Sequence, residues 1–208
     1  MRALYYGQMS QKVFGIGLSR TGTSSLTHAL RILGYRAIHY PLGILIETPT
    51  TFALNRAVAE RYDALTDLPA ALLYTELDAS FPGSKFILTV RDTDTWFASM
   101  QRLAFSYRLL RYFPKVRRLV RDIFGTDNYN DRLALTKRFE AHTADVTRYF
   151  ADRPTDLLVI NLTADTGWGA LCSFLGKPAP PVHFPKHNIG YRTTLANMSD
   201  FLRSTLER

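Results

Sequence analysis

The chain has 208 residues, 46% hydrophobic and 21% charged, which suits one globular domain over 1–208 and excludes a disordered or collagen-like chain. A single cysteine, Cys172, excludes an internal disulfide, and its apolar setting "GALCSFLG" predicts a buried core thiol. The formal charge of +8 implies an anionic partner without choosing among nucleic acid, acidic glycan, phospholipid surface and charged cofactor.

No uncharged apolar run reaches transmembrane length and the N-terminal stretch "MRALYYGQMSQKVFG" has no signal-peptide pattern, so the expectation is a cytoplasmic protein without a transmembrane segment. In chain order, "KVFGIGL" predicts a strand over 12–18, followed by a helix over 23–33 that stops at Gly34. A strand at 36–40, a helix near 50–62, a strand at 63–67 and a helix near 69–80 come next. A strand at 85–90 leads into a mostly helical stretch over 94–151, interrupted around Pro114 and around "GTDNYND". A strand at 156–162, a helix at 167–175, a Pro-rich tail and a short helix near 193–206 complete the series. Short β-branched runs alternating with helices read as α/β with a parallel sheet. Ligands of such sheets bind beyond the carboxyl ends of the strands, here Gly17–Arg20, His39–Tyr40, Asp67, Arg91 and Asn161–Thr163.

The first strand–turn–helix, "VFGIGLSRTGTSSLTHAL", has the layout of a phosphate-binding loop, with Gly17 and Gly22 correctly spaced and Ser24 at the hydroxyl position. Thr23 replaces the lysine that would reach the outer phosphates of a triphosphate, and Arg20 supplies a cation inside the loop instead. A dinucleotide fingerprint fails because Arg20 stands where its third glycine belongs. The plain alternative is a helix capped by Thr21 or Thr23, but the glycines, hydroxyls and arginine exceed what capping needs.

"GLSRTGTSSL" resembles the 5′-phosphosulfate loop of sulfotransferases that use 3′-phosphoadenosine-5′-phosphosulfate (PAPS), and "KFILTVRDTDTWFASM" resembles their 3′-phosphate element, a strand ending in Arg with a Ser eight positions later. The looser match through "DLPAALLYTELDASFPGSKFILTVRD" and "TGWGALCSFLGKPAP" is similar to the compact single-domain branch of that family. The resemblance implies a three-layer, P-loop-like α/β fold. Its central parallel sheet would have strand order 2-3-1-4-5, with a helical insertion around 100–150. It implies PAPS as co-substrate and 3′,5′-adenosine bisphosphate (PAP) as product, with no metal expected. Ser19, Arg20, Thr21, Gly22, Thr23, Ser24 and Ser25 would hold the 5′ side, and Arg91 with Ser99 the 3′-phosphate. The chain departs from the cytosolic branch in carrying Arg20 for a lysine and Ser25 for a tryptophan, and no proline follows Arg91.

Sulfuryl transfer is an in-line displacement in which charge builds on the bridging oxygen, so positioning and electrostatics carry it, with Arg20 as the catalytic cation. A base must take the acceptor's proton, and His39 and Asp67, both at strand ends, are alternative candidates. His142 reads as a packed or solvated helix residue, and the scattered histidines show no metal-ligand spacing. The acceptor would be a small molecule, glycan or lipid bound by 41–62 and 100–130. The basic, aromatic stretch 102–121 is open to three uses: a solvated face, a lid, or a peripheral membrane or acidic-partner contact. Nucleic acid is disfavoured because no recognised nucleic-acid motif accompanies the cluster. A small-molecule kinase with an atypical loop and a non-catalytic anion-binding protein are the alternatives, and oligomeric state is not legible.

Overall fold

The apolar run at 12–18 is a strand only over Val13–Gly15 (β1) in the computed structural model, which describes residues 11–106, 113–163 and 167–186. Ile16 still donates its N–H to Ile87 O, and the chain then turns into α1 (Thr23–Ile32). Gly34, at φ 91, ends that helix in the left-handed conformation that glycine adopts without strain. β2 (Ala37–His39) follows, then a 3₁₀ turn at Leu42–Ile44.

The helix expected near 50–62 is largely replaced by an antiparallel hairpin, β3 (Leu45–Glu47) and β4 (Phe52–Leu54), with only α2 (Arg56–Glu60) helical. Pro49 and a run of threonines disfavour a helix there, and the Thr48 hydroxyl closes the turn by donating to Thr51 O and accepting from Thr51 N. Asn55 then caps α2 by accepting from the Val58 N–H. β5 (Ala64–Thr66) leads into α3 (Leu68–Leu72) and α4 (Tyr74–Ser80), the single helix expected near 69–80 being broken at Leu73. Leu73 sits at φ −104, ψ 24, outside the helical basin, with its side chain buried.

β6 (Lys85–Thr89) precedes three helices: α5 (Thr93–Ser106), α6 (Pro114–Phe124) and α7 (Arg132–Tyr149). These form the expected insertion. Pro114 opens α6, Gly125 at φ 71 closes it, and the Asp131 side chain caps α7. β7 (Leu157–Ile160) and α8 (Trp168–Leu175) complete the described elements. The helix expected near 193–206 and His187 lie outside the described residues, while His183 is exposed in the tail.

All five sheet strands are parallel, in the order β2-β5-β1-β6-β7, which is the expected 2-3-1-4-5 when the strands are counted along the sheet-forming chain. Successive residues of β1 face opposite sides. Phe14 joins a core with Phe86, Trp96, Phe139 and Phe150 under α2–α7, whereas Val13 joins Leu26, Leu30, Ile160 and Leu171 under α1 and α8. Two helical layers therefore cover a central sheet, as three-layer α/β folds require. Cys172 is buried in α8 as expected.

From Pro114 on, the basic stretch is an amphipathic helix. Val116, Leu119, Val120 and Ile123 of α6 are buried, while Lys115 donates to Leu45 O and Arg118 donates to Thr51 O, fastening the hairpin. Arg117 and Arg121 both pair with Asp127. Among the described residues no helix is long and apolar enough to cross a membrane.

Candidate active site

The chain switches sides of the sheet at β1, so the crevice beyond its carboxyl end is bordered by the ends of β5 and β6. The loop from Ile16 to Gly22 fills this crevice. A Cβ on Gly17 would lie 1.9 Å from Thr89 Oγ1 and 2.6 Å from the Thr89 carbonyl, so only glycine lets the loop lie against β6. Gly22, at φ 105, is the N-cap of α1, and no side chain caps that helix; its first-turn N–H groups and positive dipole end meet the crevice. The capping role considered for Thr21 or Thr23 is therefore not found.

Three non-glycine residues have positive φ among the described residues: Arg20 (74), Tyr40 (54) and Asp67 (79). Tyr40 and Asp67 stand directly after β2 and β5, and Arg20 lies in the loop that follows β1. Such conformations cost about 1–3 kcal/mol each and persist where surrounding contacts dictate them, commonly at functional sites.

His39 and Asp67, alternatives at the sequence level, are brought into one unit. His39 Nε2 lies 2.9 Å from Asp67 Oδ2, and both side chains are almost wholly buried. Asp67 Oδ1 accepts from the Ser19 hydroxyl at 2.6 Å and from the Leu68 N–H at 2.8 Å. Burial alone pushes the Asp67 carboxyl up. The adjoining His39 ring and the bonds donated by His39, Ser19 and Leu68 outweigh that and hold it below the usual carboxylate range. The same His39 Nε2 is 3.1 Å from Ser24 Oγ and 3.3 Å from Thr23 Oγ1, so the pair reaches into the first turn of α1. His39 Nδ1 is buried without a hydrogen-bond partner. In the neutral ring the proton therefore belongs on Nε2, directed at Asp67.

A second group lies toward β6. Arg20 Nε donates to Ser99 Oγ at 2.9 Å, and Arg91 Nη1 donates to the Arg20 carbonyl at 3.2 Å. Arg91 also donates through Nε to Thr95 Oγ1 at 3.2 Å. Burial and the neighbouring Arg102 lower the Arg91 guanidinium below its ordinary value. The two elements picked out in the sequence thus form one contiguous cationic surface. Thr21 is turned inward, its hydroxyl donating to Leu18 O at 2.7 Å and pairing with Thr89 Oγ1 at 2.6 Å. Ser25 is buried in the first turn of α1.

Sequence inspection missed the residues behind the loop. Trp96 Nε1 donates to Ser19 O at 2.9 Å, its ring stacked on Phe139 at 4.2 Å. His142, read from sequence as packed or solvated, is packed and donates through Nε2 to Ile16 O at 2.8 Å. The available signal was only the presence of two polar-tipped rings on apolar helix faces.

Comparisons with known proteins bear on the family and the fold. The chain is 28% identical to "Ava biosynthesis cluster protein M" from Aspergillus versicolor, over 84% of this chain and 79% of that protein. Its fold is similar to the crystal structure of a sulfotransferase from Alicyclobacillus acidocaldarius, with a TM-score of 0.51 and 16% identity, covering 95% of each chain. The family model described as "Sulfotransferase domain" matches residues 12–192, nearly the whole described chain, and the protein belongs to the sulfotransferase family.

Proposed function

We propose that the protein transfers a sulfuryl group from PAPS to a hydroxyl or amine of a small-molecule acceptor. The observation that carries this is the meeting of Arg20, Arg91 and Ser99 on one side of the α1 N-terminus with the His39–Asp67 pair on the other. The residues fit a donor bearing two phosphates. Gly17 lets the loop pack against β6 so that the uncapped N-terminus of α1 is presented, and Arg91 beside Arg102 is a cationic site that an anion would relieve. When bound, the donor supplies the activated sulfuryl group and the phosphate leaving group.

The roles of the chain's own residues follow from chemistry. Arg20 and the loop N–H groups meet the negative charge that grows on the leaving oxygen. Arg91 and Ser99 grip the second phosphate as a charged and a neutral donor. Asp67 is the weaker base because three donors already occupy its oxygens and its carboxyl is held low. His39 is accordingly assigned as the base that takes the acceptor's proton, with Asp67 fixing the ring through Nε2, an arrangement common to histidine bases.

The acceptor is assigned to the side bounded by the β3–β4 hairpin and α6. The hairpin follows Tyr40 after the 3₁₀ turn at Leu42–Ile44, and α6 packs against α3, which begins just after Asp67. A relative whose name refers to a biosynthesis cluster supports a small-molecule acceptor. The kinase alternative is not favoured, since Asp67, the carboxylate it would use for Mg²⁺, is enclosed by His39, Ser19 and Leu68.

Thermal shift with PAP and with ATP, each with and without Mg²⁺, tests the donor. Stabilisation by PAP that is independent of Mg²⁺ is expected. A response to ATP alone, and only with Mg²⁺, overturns the proposal.

A further inference from the structure

The anion loop is held from behind by its carbonyls. Ile16 O accepts from His142 Nε2 at 2.8 Å, Leu18 O from the Thr21 hydroxyl at 2.7 Å, Ser19 O from Trp96 Nε1 at 2.9 Å and Arg20 O from Arg91 Nη1 at 3.2 Å. In a planar trans peptide the C=O and N–H point in opposite directions. A carbonyl drawn back toward the insertion therefore turns the following N–H the other way. Drawing back Ile16 O and Ser19 O orients the N–H groups of Gly17 and Arg20 in this manner.

Two of these donors are rings on the insertion helices, one on α5, which also carries Ser99, and one on α7. Trp96 on α5 is fully buried, and His142 on α7 is 7% exposed, so each spends a buried polar atom on one loop carbonyl. His142 packs edge-on against Tyr74, with its centroid 6.2 Å away, and burial holds its imidazole below its ordinary range, favouring the neutral ring that carries one N–H.

We propose that Trp96 and His142 are positioning residues that set the peptide planes of the loop, so that its N–H groups converge on the 5′-side anion of the bound nucleotide. The role rests on the donor assignment above. It gives α7 a part in anion recognition, and α5 a second one beside that of Ser99.

Titration calorimetry with PAP and with adenosine 3′-monophosphate, which lacks the 5′-phosphate, tests it. Trp96→Phe removes the N–H and keeps an aromatic ring on Phe139. His142→Leu removes the other donor, and His142→Gln restores an N–H at similar reach. The expected result is an affinity for PAP about tenfold weaker in Trp96→Phe and His142→Leu, the scale of one buried hydrogen bond. Affinity for the 3′-monophosphate should stay within about twofold, and His142→Gln should recover most of the loss. Equal losses on both ligands would show a merely structural role and overturn the proposal, as would no loss on either. Should Trp96→Phe fail to fold, the two His142 variants carry the comparison. If the wild-type protein binds neither nucleotide, the donor assignment falls, and the same variants are compared by thermal shift with inorganic sulfate. A wild-type sulfate shift that shrinks in Trp96→Phe and His142→Leu then upholds the positioning role. A shift unchanged in the variants, or no wild-type shift, overturns it.

Discussion

His39 Nε2 stands 2.9 Å from Asp67 Oδ2 because β2 and β5 are neighbours in parallel register, with His39 opposite Thr66 and Asp67 one residue further on. The pair is buried, so its two members depend on each other. Removing one partner of a buried pair typically costs about 3–5 kcal/mol. Asp67→Ala is expected to lose stability on that scale, measured by chemical denaturation at neutral pH. A loss below about 1 kcal/mol would show that the pair contributes little.

The same carboxylate gives a pH signature. Its folded pKa is depressed, so its stabilisation is present above the ordinary carboxylate value of about 3.9 and is lost as pH falls through the lower folded value. Asp67→Asn should flatten the acid limb of the stability curve below about pH 4. An acid limb as steep as the wild type's would count against the assignment.

His142 gives a second pH dependence in a higher window. Its neighbours include Arg138 and Asp145 as well as Tyr74, and burial is the dominant cause lowering its folded pKa. Stability is fully present above the ordinary histidine value of about 6.5, and is lost as pH falls below it toward the folded pKa, because the unfolded chain takes up the proton first. Replacing His142 by Gln is expected to reduce the slope of stability with pH between about 6.5 and 5, read from denaturation midpoints.

Arg20 should matter to rate more than to binding. Losing one preorganised donor at a developing charge typically costs about 10²–10³ in turnover. Arg20→Ala is expected to fall by that factor, with PAP affinity changed much less. Turnover near that of the wild type would remove Arg20 from the chemistry.

Arg91 should show the opposite pattern, through its preference for the second phosphate. A charge-assisted hydrogen bond is worth about 1.5–3 kcal/mol, or about 10- to 100-fold. Arg91→Ala should weaken PAP by that factor while leaving adenosine 5′-monophosphate nearly unaffected. A parallel loss on both nucleotides would assign Arg91 to the loop alone, through the Arg20 carbonyl.

Much of the molecule was legible because local signals and global fold coincide. The apolar runs that became β1, β2, β5, β6 and β7, the Gly17–Gly22 turn and the α1 period each follow from a few adjacent residues. Where local and tertiary preferences part, the sequence was a poorer guide. Residues 45–54 form a hairpin that Lys115 and Arg118 of α6 fasten from far along the chain. The break at Leu73 has no glycine or proline beside it to announce it.

The candidate site divides along the same line. Residue types and spacings within one segment pointed to the loop, His39 and Asp67 as candidate positions, and the family resemblance of a second segment pointed to Arg91 and Ser99. Their partnerships were not accessible that way. Ser99 meets Arg20, Asp67 joins His39 and Ser19, and Trp96 and His142 hold the loop, all through contacts between segments distant in sequence. A residue's chemistry is local, whereas the neighbour it acts on is set by sheet order and helix packing, which bring strand ends and insertion helices to one crevice.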